Sequence, residues 1–153
     1  MRLVVQRVNS ASVEVDGALV GAIGQGLLVY LGLGARDDET AVPWCVDKLS
    51  KLRVFADESG RMARSLSDVG GGLLVVSQFT LYGELSKGRR PSFTQALEPV
   101  RAQQLYEACV HALRASGLKV ATGVFRAHML VNAQVDGPVT LWLDSEKDEA
   151  ATR

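Results

Sequence analysis

The stretch Ser77-Gln78-Phe79-Thr80-Leu81-Tyr82-Gly83-Glu84-Leu85-Ser86-Lys87-Gly88-Arg89-Arg90-Pro91-Ser92-Phe93 concentrates the side chains of this 153-residue chain that can do chemistry. Lys87, Arg89 and Arg90 can meet phosphates, and Phe79 or Phe93 can offer a ring face to a base, a combination suited to a nucleotide end. The same composition suits a solvated loop whose aromatic residues tuck into a core, and composition alone leaves both readings open. Backbone N–H groups of Gln78, Phe79 and Thr80, at a strand end, can also bind an oxyanion. Elsewhere there is no Gly-x-Ser-x-Gly elbow, His-Glu-x-x-His, Gly-x-x-x-x-Gly-Lys-Ser/Thr or dinucleotide fingerprint. Of the two histidines, His111 lies off the apolar stripe of its predicted helix and reads as a surface residue, and His128, near a strand start, reads as non-catalytic. Cys45 and Cys109 fall on apolar helix faces and read as reduced, buried thiols. These four residues have no metal-ligand spacing, so no structural zinc is expected, and nothing in the chain calls for another metal or a cofactor.

The elements that must position the Ser77–Phe93 stretch are legible from periodicity. Leu3–Val8 and Ser12–Val15 read as strands, Asp16-Gly17 as a tight hairpin turn, and Ala18–Ile23 as the return. Gly24-Gln25-Gly26 turns again before the apolar run Leu27–Leu31, so two successive hairpins predict an antiparallel meander. Val42, Cys45, Val46 and Leu49 recur at helical spacing, with Pro43 fitting only the first turn of a helix that begins near Thr40 or Ala41. Leu52–Ala56 predicts a strand, and Leu73–Gln78 a central one. Residues 79–94 form the one long irregular segment, a length often functional in a compact domain. Pro99 opens a second helix with the stripe Ala102, Leu105, Tyr106, Cys109, Ala112 and Leu113, closed by Ser116-Gly117. Strands at Lys119–Val124, Met129–Gln134 and Val139–Leu143 follow, with Asp136-Gly137-Pro138 linking the last two. The polar end is expected to fray.

Seventeen basic residues balance seventeen acidic ones, which excludes a global cationic field for gathering nucleic acid. Any RNA contact must come from a local patch. Hydrophobic residues at 47% and charged residues at 22% are ordinary globular usage and exclude a disordered or collagen-like chain. No apolar run reaches the roughly 18 residues of a membrane-spanning helix, so no membrane partner is expected. Met1–Arg7 reads as a strand rather than a signal peptide, and a cytoplasmic location is the expectation. The length fits one α+β domain.

Three motifs then carry a resemblance: Ser77-Gln78-Phe79-Thr80-Leu81-Tyr82-Gly83, followed by Lys87-Gly88-x-Arg90-Pro91-Ser92-Phe93, followed by Asp136-Gly137-Pro138-Val139-Thr140. With Val4-Val5-Gln6-Arg7-Val8 and Ala11-Ser12-Val13-x-Val15 at the start, the chain resembles the D-aminoacyl-tRNA deacylase (D-tyrosyl-tRNA deacylase) family from Met1 to about Asp144. The resemblance implies a single α+β domain over residues 1–145 with a polar tail at 146–153. Its mainly antiparallel or mixed sheet would be partly rolled into a barrel, with two helices packed on it. It implies a cytoplasmic homodimeric hydrolase that removes D-amino acids from tRNA and glycine mischarged on the alanine tRNA. Ser77, Gln78, Phe79 and Thr80 would line the pocket for the aminoacylated terminal adenosine. Gly137 and Pro138, joined by a cis bond in the family, would reach into the partner subunit's pocket, with Arg7 holding that motif. Lys87 and Arg90 are the expected substrate contacts in the loop. At position 126 this chain has arginine where the family usually has glycine, and at 135 valine where the family usually has asparagine.

Thr80 is the hydroxyl with motif support, yet no base lies near it in sequence, as a threonine nucleophile requires. The expected chemistry is therefore substrate-assisted: the free 2′-OH of the terminal ribose activates or positions water, backbone N–H groups bind the oxyanion, and Thr80 orients the substrate. Main-chain atoms of Gly137 and Pro138 crowding the place of an L side chain would refuse L-substrates, while glycine, lacking a side chain, would pass. Two alternatives are a tRNA-end-binding module without turnover and a hydrolase of small D-configured esters acting without RNA.

Overall fold

Residues Arg2–Val15 form one continuous strand, β1, around which the sheet is organised. The computed structural model describes residues 1–86 and 88–151, without the side chains of 149–151. Along one edge of β1, residues 11–15 pair with β2 (Ala18–Ile23) and residues 2–8 with β3 (Gly26–Gly32), both antiparallel. Asp16 and Gly17 take φ of 51° and 78°, the hairpin turn expected of them. Gly24-Gln25-Gly26 does not make a second hairpin. It carries the chain from one half of β1 to the other, so the predicted meander is corrected.

β3 is buried on both faces because it pairs in parallel with β6 (Gly72–Ser77), which pairs in parallel with β7 (Lys119–Thr122). Parallel neighbours require crossovers, and these carry the helices α1 (Ala41–Lys51) and α2 (Pro99–Ala115). The first crossover also holds a small hairpin, β4 (Phe55–Ala56) and β5 (Met62–Arg64), shorter than the strand predicted over Leu52–Ala56. The last strand, β8 (Leu130–Asp144), covers the other edge of β1 along its length. The mixed sheet curls until β2 lies against β7: a Cβ on Gly21 would come within 2.3 Å of the Thr122 carbonyl oxygen, so only glycine permits this approach.

Strand alternation divides the apolar residues between two cores. Leu3, Val5, Leu27, Val29, Leu31, Leu73 and Val75 face the helices, meeting Cys45, Leu49, Leu105, Cys109 and Leu113. Val8, Ala11, Val13, Leu28, Leu74 and Val76 fill the barrel. In β1 the inward parity changes on either side of Val8, where the register with β8 slips twice. Gln6 pairs with Thr140 and Val8 with Val135, so residues 136–139 bulge opposite Arg7 alone. The two strands predicted on either side of Asp136-Gly137-Pro138 are thus one bulged strand.

The tail expected to fray begins instead with a third helix, α3 (Ser145–Ala151). Its polarity concealed the pairing: Asp148 meets Lys48 Nζ at 2.6 Å and accepts from Trp44 Nε1 at 3.1 Å, both on α1. Thr152 and Arg153 lie outside the described residues. No described helix is long and apolar enough to cross a membrane.

Candidate active site

A cavity of about 670 Å³ opens at the carboxyl ends of β3 and β6, where parallel strands offer their last residues to a ligand. Leu31, Leu33 and Val76 form its floor. Ser77, Gln78 and Phe79 form one wall, the start of α2 from Glu98 to Tyr106 another, and residues 125–129, between β7 and β8, a third. Phe93 and Ala96 close the remaining side.

The first wall is held by main-chain and charged contacts. Gln78 N donates to Leu31 O at 2.8 Å as the chain leaves β6, and the 3-10 turn Phe79–Tyr82 follows. A Cβ on Gly32 would stand 2.9 Å from both Gln78 O and Leu81 Cβ, so glycine lets this turn seat on β3. From β1, Arg2 Nη1 donates to Leu81 O at 2.9 Å and its guanidinium covers the Tyr82 ring at 4.3 Å. Beneath, Asp37 accepts from the Met1 ammonium at 2.5 Å, Gly34 N at 2.6 Å and Tyr82 Oη at 3.3 Å. The loop after the turn is brought back by Ala35 N donating to Gln95 O (2.8 Å) and Leu97 N donating to Leu33 O (3.0 Å). Phe93 then meets Phe79 edge-on, with centroids 4.9 Å apart.

Among the polar groups lining the cavity, Glu98 and Tyr106 are committed, whereas His128 is exposed and forms no side-chain hydrogen bond or ion pair with a described residue. The Glu98 carboxylate caps α2, accepting from Val100 N at 3.0 Å and Arg101 N at 2.7 Å. Tyr106 donates its hydroxyl to Val75 O at 2.8 Å, and burial raises its pKa, so it stays protonated. Behind the sheet, the hydrogen bond with Cys109 and burial push the Cys45 thiol up, which makes it a poor nucleophile. Among the described residues the lining thus offers hydrogen-bonding groups and one imidazole, that of His128.

Ser77, Gln78 and Phe79 all line this cavity, and Phe79 is 58% exposed. Thr80 stands exposed just beyond them, its Oγ1 accepting from Gln78 Nε2. The expectation that Gln78 N–H joins an oxyanion pocket is corrected, since Leu31 O occupies it. The N–H groups of Phe79 and Thr80, at the head of the 3-10 turn, have no acceptor within it. Arg90 is exposed and outside the cavity lining, and Lys87 lies outside the described residues.

Arg7, Gly137 and Pro138 sit together away from this cavity, at the β1–β8 bulge. The Gly137–Pro138 bond is cis. Arg7 Nε pairs with Asp136 Oδ2 at 2.9 Å, and its Nη1 donates to Val54 O. Gly137 has φ +120°, and a Cβ there would meet Val139 Cγ2 at 2.9 Å and Arg7 Nη2 at 3.0 Å. Arg7 thus lies directly against the glycine, whose conformation and space exclude larger residues.

In the third wall Arg126 is marked in the sequence by its departure from the family pattern beside the pocket, whereas Phe125 and Met129 are not, and His128, read as non-catalytic, lines the cavity with them. The wall's signal was weak: a segment interrupting strand periodicity, with Arg126 at φ +62°.

Against known proteins, residues 4–144 match the family model for D-Tyr-tRNA(Tyr) deacylase. A D-aminoacyl-tRNA deacylase of Thermotoga petrophila is 55% identical over 147 residues, covering 96% of this chain and 99% of its own. One from Thermomicrobium roseum is 54% identical over 145 residues, covering 95% and 94%. Among solved structures, a c-Myc DNA Unwinding Element Binding Protein superposes with a TM-score of 0.89 at 41% identity, covering 95% of this chain and 99% of that one. A probable eukaryotic D-amino acid tRNA deacylase shares the fold, with a TM-score of 0.82 at 20% identity and coverage of 94% and 98%. With this match spanning both the cavity wall at Ser77–Phe79 and the Arg7–Gly137 bulge, the chain belongs to the D-Tyr-tRNA(Tyr) deacylase family.

Proposed function

We propose that the cavity receives the aminoacylated terminal adenosine of D-aminoacyl-tRNA and hydrolyses its ester. The observation that carries this reading is the seating of Ser77, Gln78 and Phe79 in one wall of the cavity. An exposed Phe79 beside Phe93 suits base stacking. The labile ester needs positioning more than a strong base, and the terminal 2′-OH supplies the group that orients or activates water. Phe79 and Thr80 N–H groups donate to the developing oxyanion, and Thr80 orients the substrate.

Chirality is read by a second copy of the chain. Gly137 and Pro138 are exposed and lie outside their own cavity, which supports their reaching into that of a partner subunit. On its far side β8 has no strand partner among the described residues and exposes Leu130 and Trp142, which supports a homodimer built on this face. A main-chain wall excludes L side chains by shape and passes glycine, so glycine mischarged on the alanine tRNA is a second substrate. The cytoplasm, where charged tRNA circulates, is the site of action. Purified protein should release D-tyrosine from D-tyrosyl-tRNA and leave L-tyrosyl-tRNA intact; equal cleavage of both would overturn the reading.

A further inference from the structure

Among the described residues Arg126 is the only arginine or lysine lining the cavity, and none of them forms a hydrogen bond or ion pair with it. Its charge does not balance a free carboxylate: the one acidic residue in the lining, Glu98, has an α2 amide on each carboxylate oxygen. Its backbone takes φ +62°, a conformation that glycine adopts more cheaply. The segment around it is anchored, with Ala127 N donating to Val124 O at 3.2 Å and the Phe125 ring 5.9 Å from that of Tyr106. An exposed, unpaired guanidinium is thus held at the rim of a cavity whose one carboxylate is already engaged.

We propose that Arg126 is the phosphate contact of this cavity, holding the phosphodiester on the 5′ side of a terminal adenosine. This rests on the reading that the cavity takes an RNA 3′ end. A guanidinium suits the task because its N–H fork matches two phosphate oxygens and its charge is permanent. Arg126 is a binding residue that adds affinity for the nucleotide portion without touching the ester.

The test is titration of the whole protein with adenosine, 5′-AMP and the trinucleotide CCA, in the wild type, Arg126→Gly and Arg126→Gln. The glycine variant relieves the backbone conformation, and the glutamine variant keeps the bulk. The wild type should bind 5′-AMP about 10-fold more tightly than adenosine, and both variants should lose that preference while keeping adenosine affinity. CCA binding should weaken in both variants, and its logarithmic salt slope should fall by about 0.7. An unchanged 5′-AMP preference overturns the proposal. So does an effect on 5′-AMP without one on CCA, or a change confined to the ranking of D-aspartyl over D-tyrosyl esters. A wild type that shows the Arg126-dependent preference but fails to deacylate D-tyrosyl-tRNA sinks the catalytic reading and leaves this one standing.

Discussion

Thr80 Oγ1 accepts from Gln78 Nε2, and no described side chain accepts its proton, so the proposed function gives it an orienting role. Thr80→Ala should keep single-turnover deacylation within about 10-fold of wild type, whereas a 2′-deoxy terminal adenosine should lose at least about 100-fold. The reverse ranking would mark Thr80 as the nucleophile. Tyr30, Tyr82 and Tyr106 are all held protonated chiefly by burial, and each therefore titrates above the value of about 10 that it has in the unfolded chain. The unfolded chain loses these protons first, so the stability they contribute is complete below pH ~10 and declines as pH rises beyond it. Urea titrations across that window should show the decline, and Tyr106→Phe should make it shallower while costing about 1 kcal/mol at neutral pH. The roles at this scale were unevenly legible. Ser77–Phe79 could be found because a motif is contiguous, whereas Phe125 and Met129 reach the cavity only through the return of β7 towards β8. The engagement of Gln78 N–H by Leu31 could not be read at all, since it depends on a parallel neighbour far away in sequence.

Among the elements, the 3-10 turn after β6 is seated by two charges from outside it, Arg2 and Asp37. Asp37→Asn removes the counter-charge of the buried Met1 ammonium and weakens the acceptor of Gly34 N and Tyr82 Oη. A loss of about 3 kcal/mol is expected in chemical denaturation, together with a raised KM for D-aminoacyl-tRNA as the Phe79–Tyr82 turn loosens. Both helices were legible because Cys45 and Leu49, and Leu105, Tyr106, Cys109 and Leu113, recur with helical spacing over long segments. Strand pairing was not. Leu27–Leu31 shows only that both its faces are covered, and the partner across a crossover is chosen by tertiary packing. The α1 and α2 patterns between strands were nevertheless a sign of parallel neighbours that an antiparallel meander ignores. The polar start of α3 concealed a helix because its partners, Trp44 and Lys48, belong to α1.

For the whole molecule, the separation of the Arg7–Gly137 bulge from the cavity of the same chain makes cooperation between copies testable. Gly137→Ala places a Cβ against Arg7 and Val139 at positive φ, so it should abolish turnover at the site that it completes. Phe79→Ala should disable the cavity instead. If each site draws on two copies, co-refolding equal amounts of the two inactive variants should restore about a quarter of wild-type activity, since half the dimers are mixed and each has one intact site. Unrestored activity, or a sedimentation mass of one chain, would refute the shared site. The position of the cavity has a further bearing on how such a molecule can change. The barrel is filled by its own residues and lends the pocket little beyond Val76 and Val131, while much of the lining beside the Ser77–Phe79 wall comes from the connections around residues 93–99 and 125–129. Substrate preference can then drift by refitting those connections, with the barrel core left untouched, so grafting only these two segments from a relative should transfer its tRNA preference and leave the melting temperature nearly where it was.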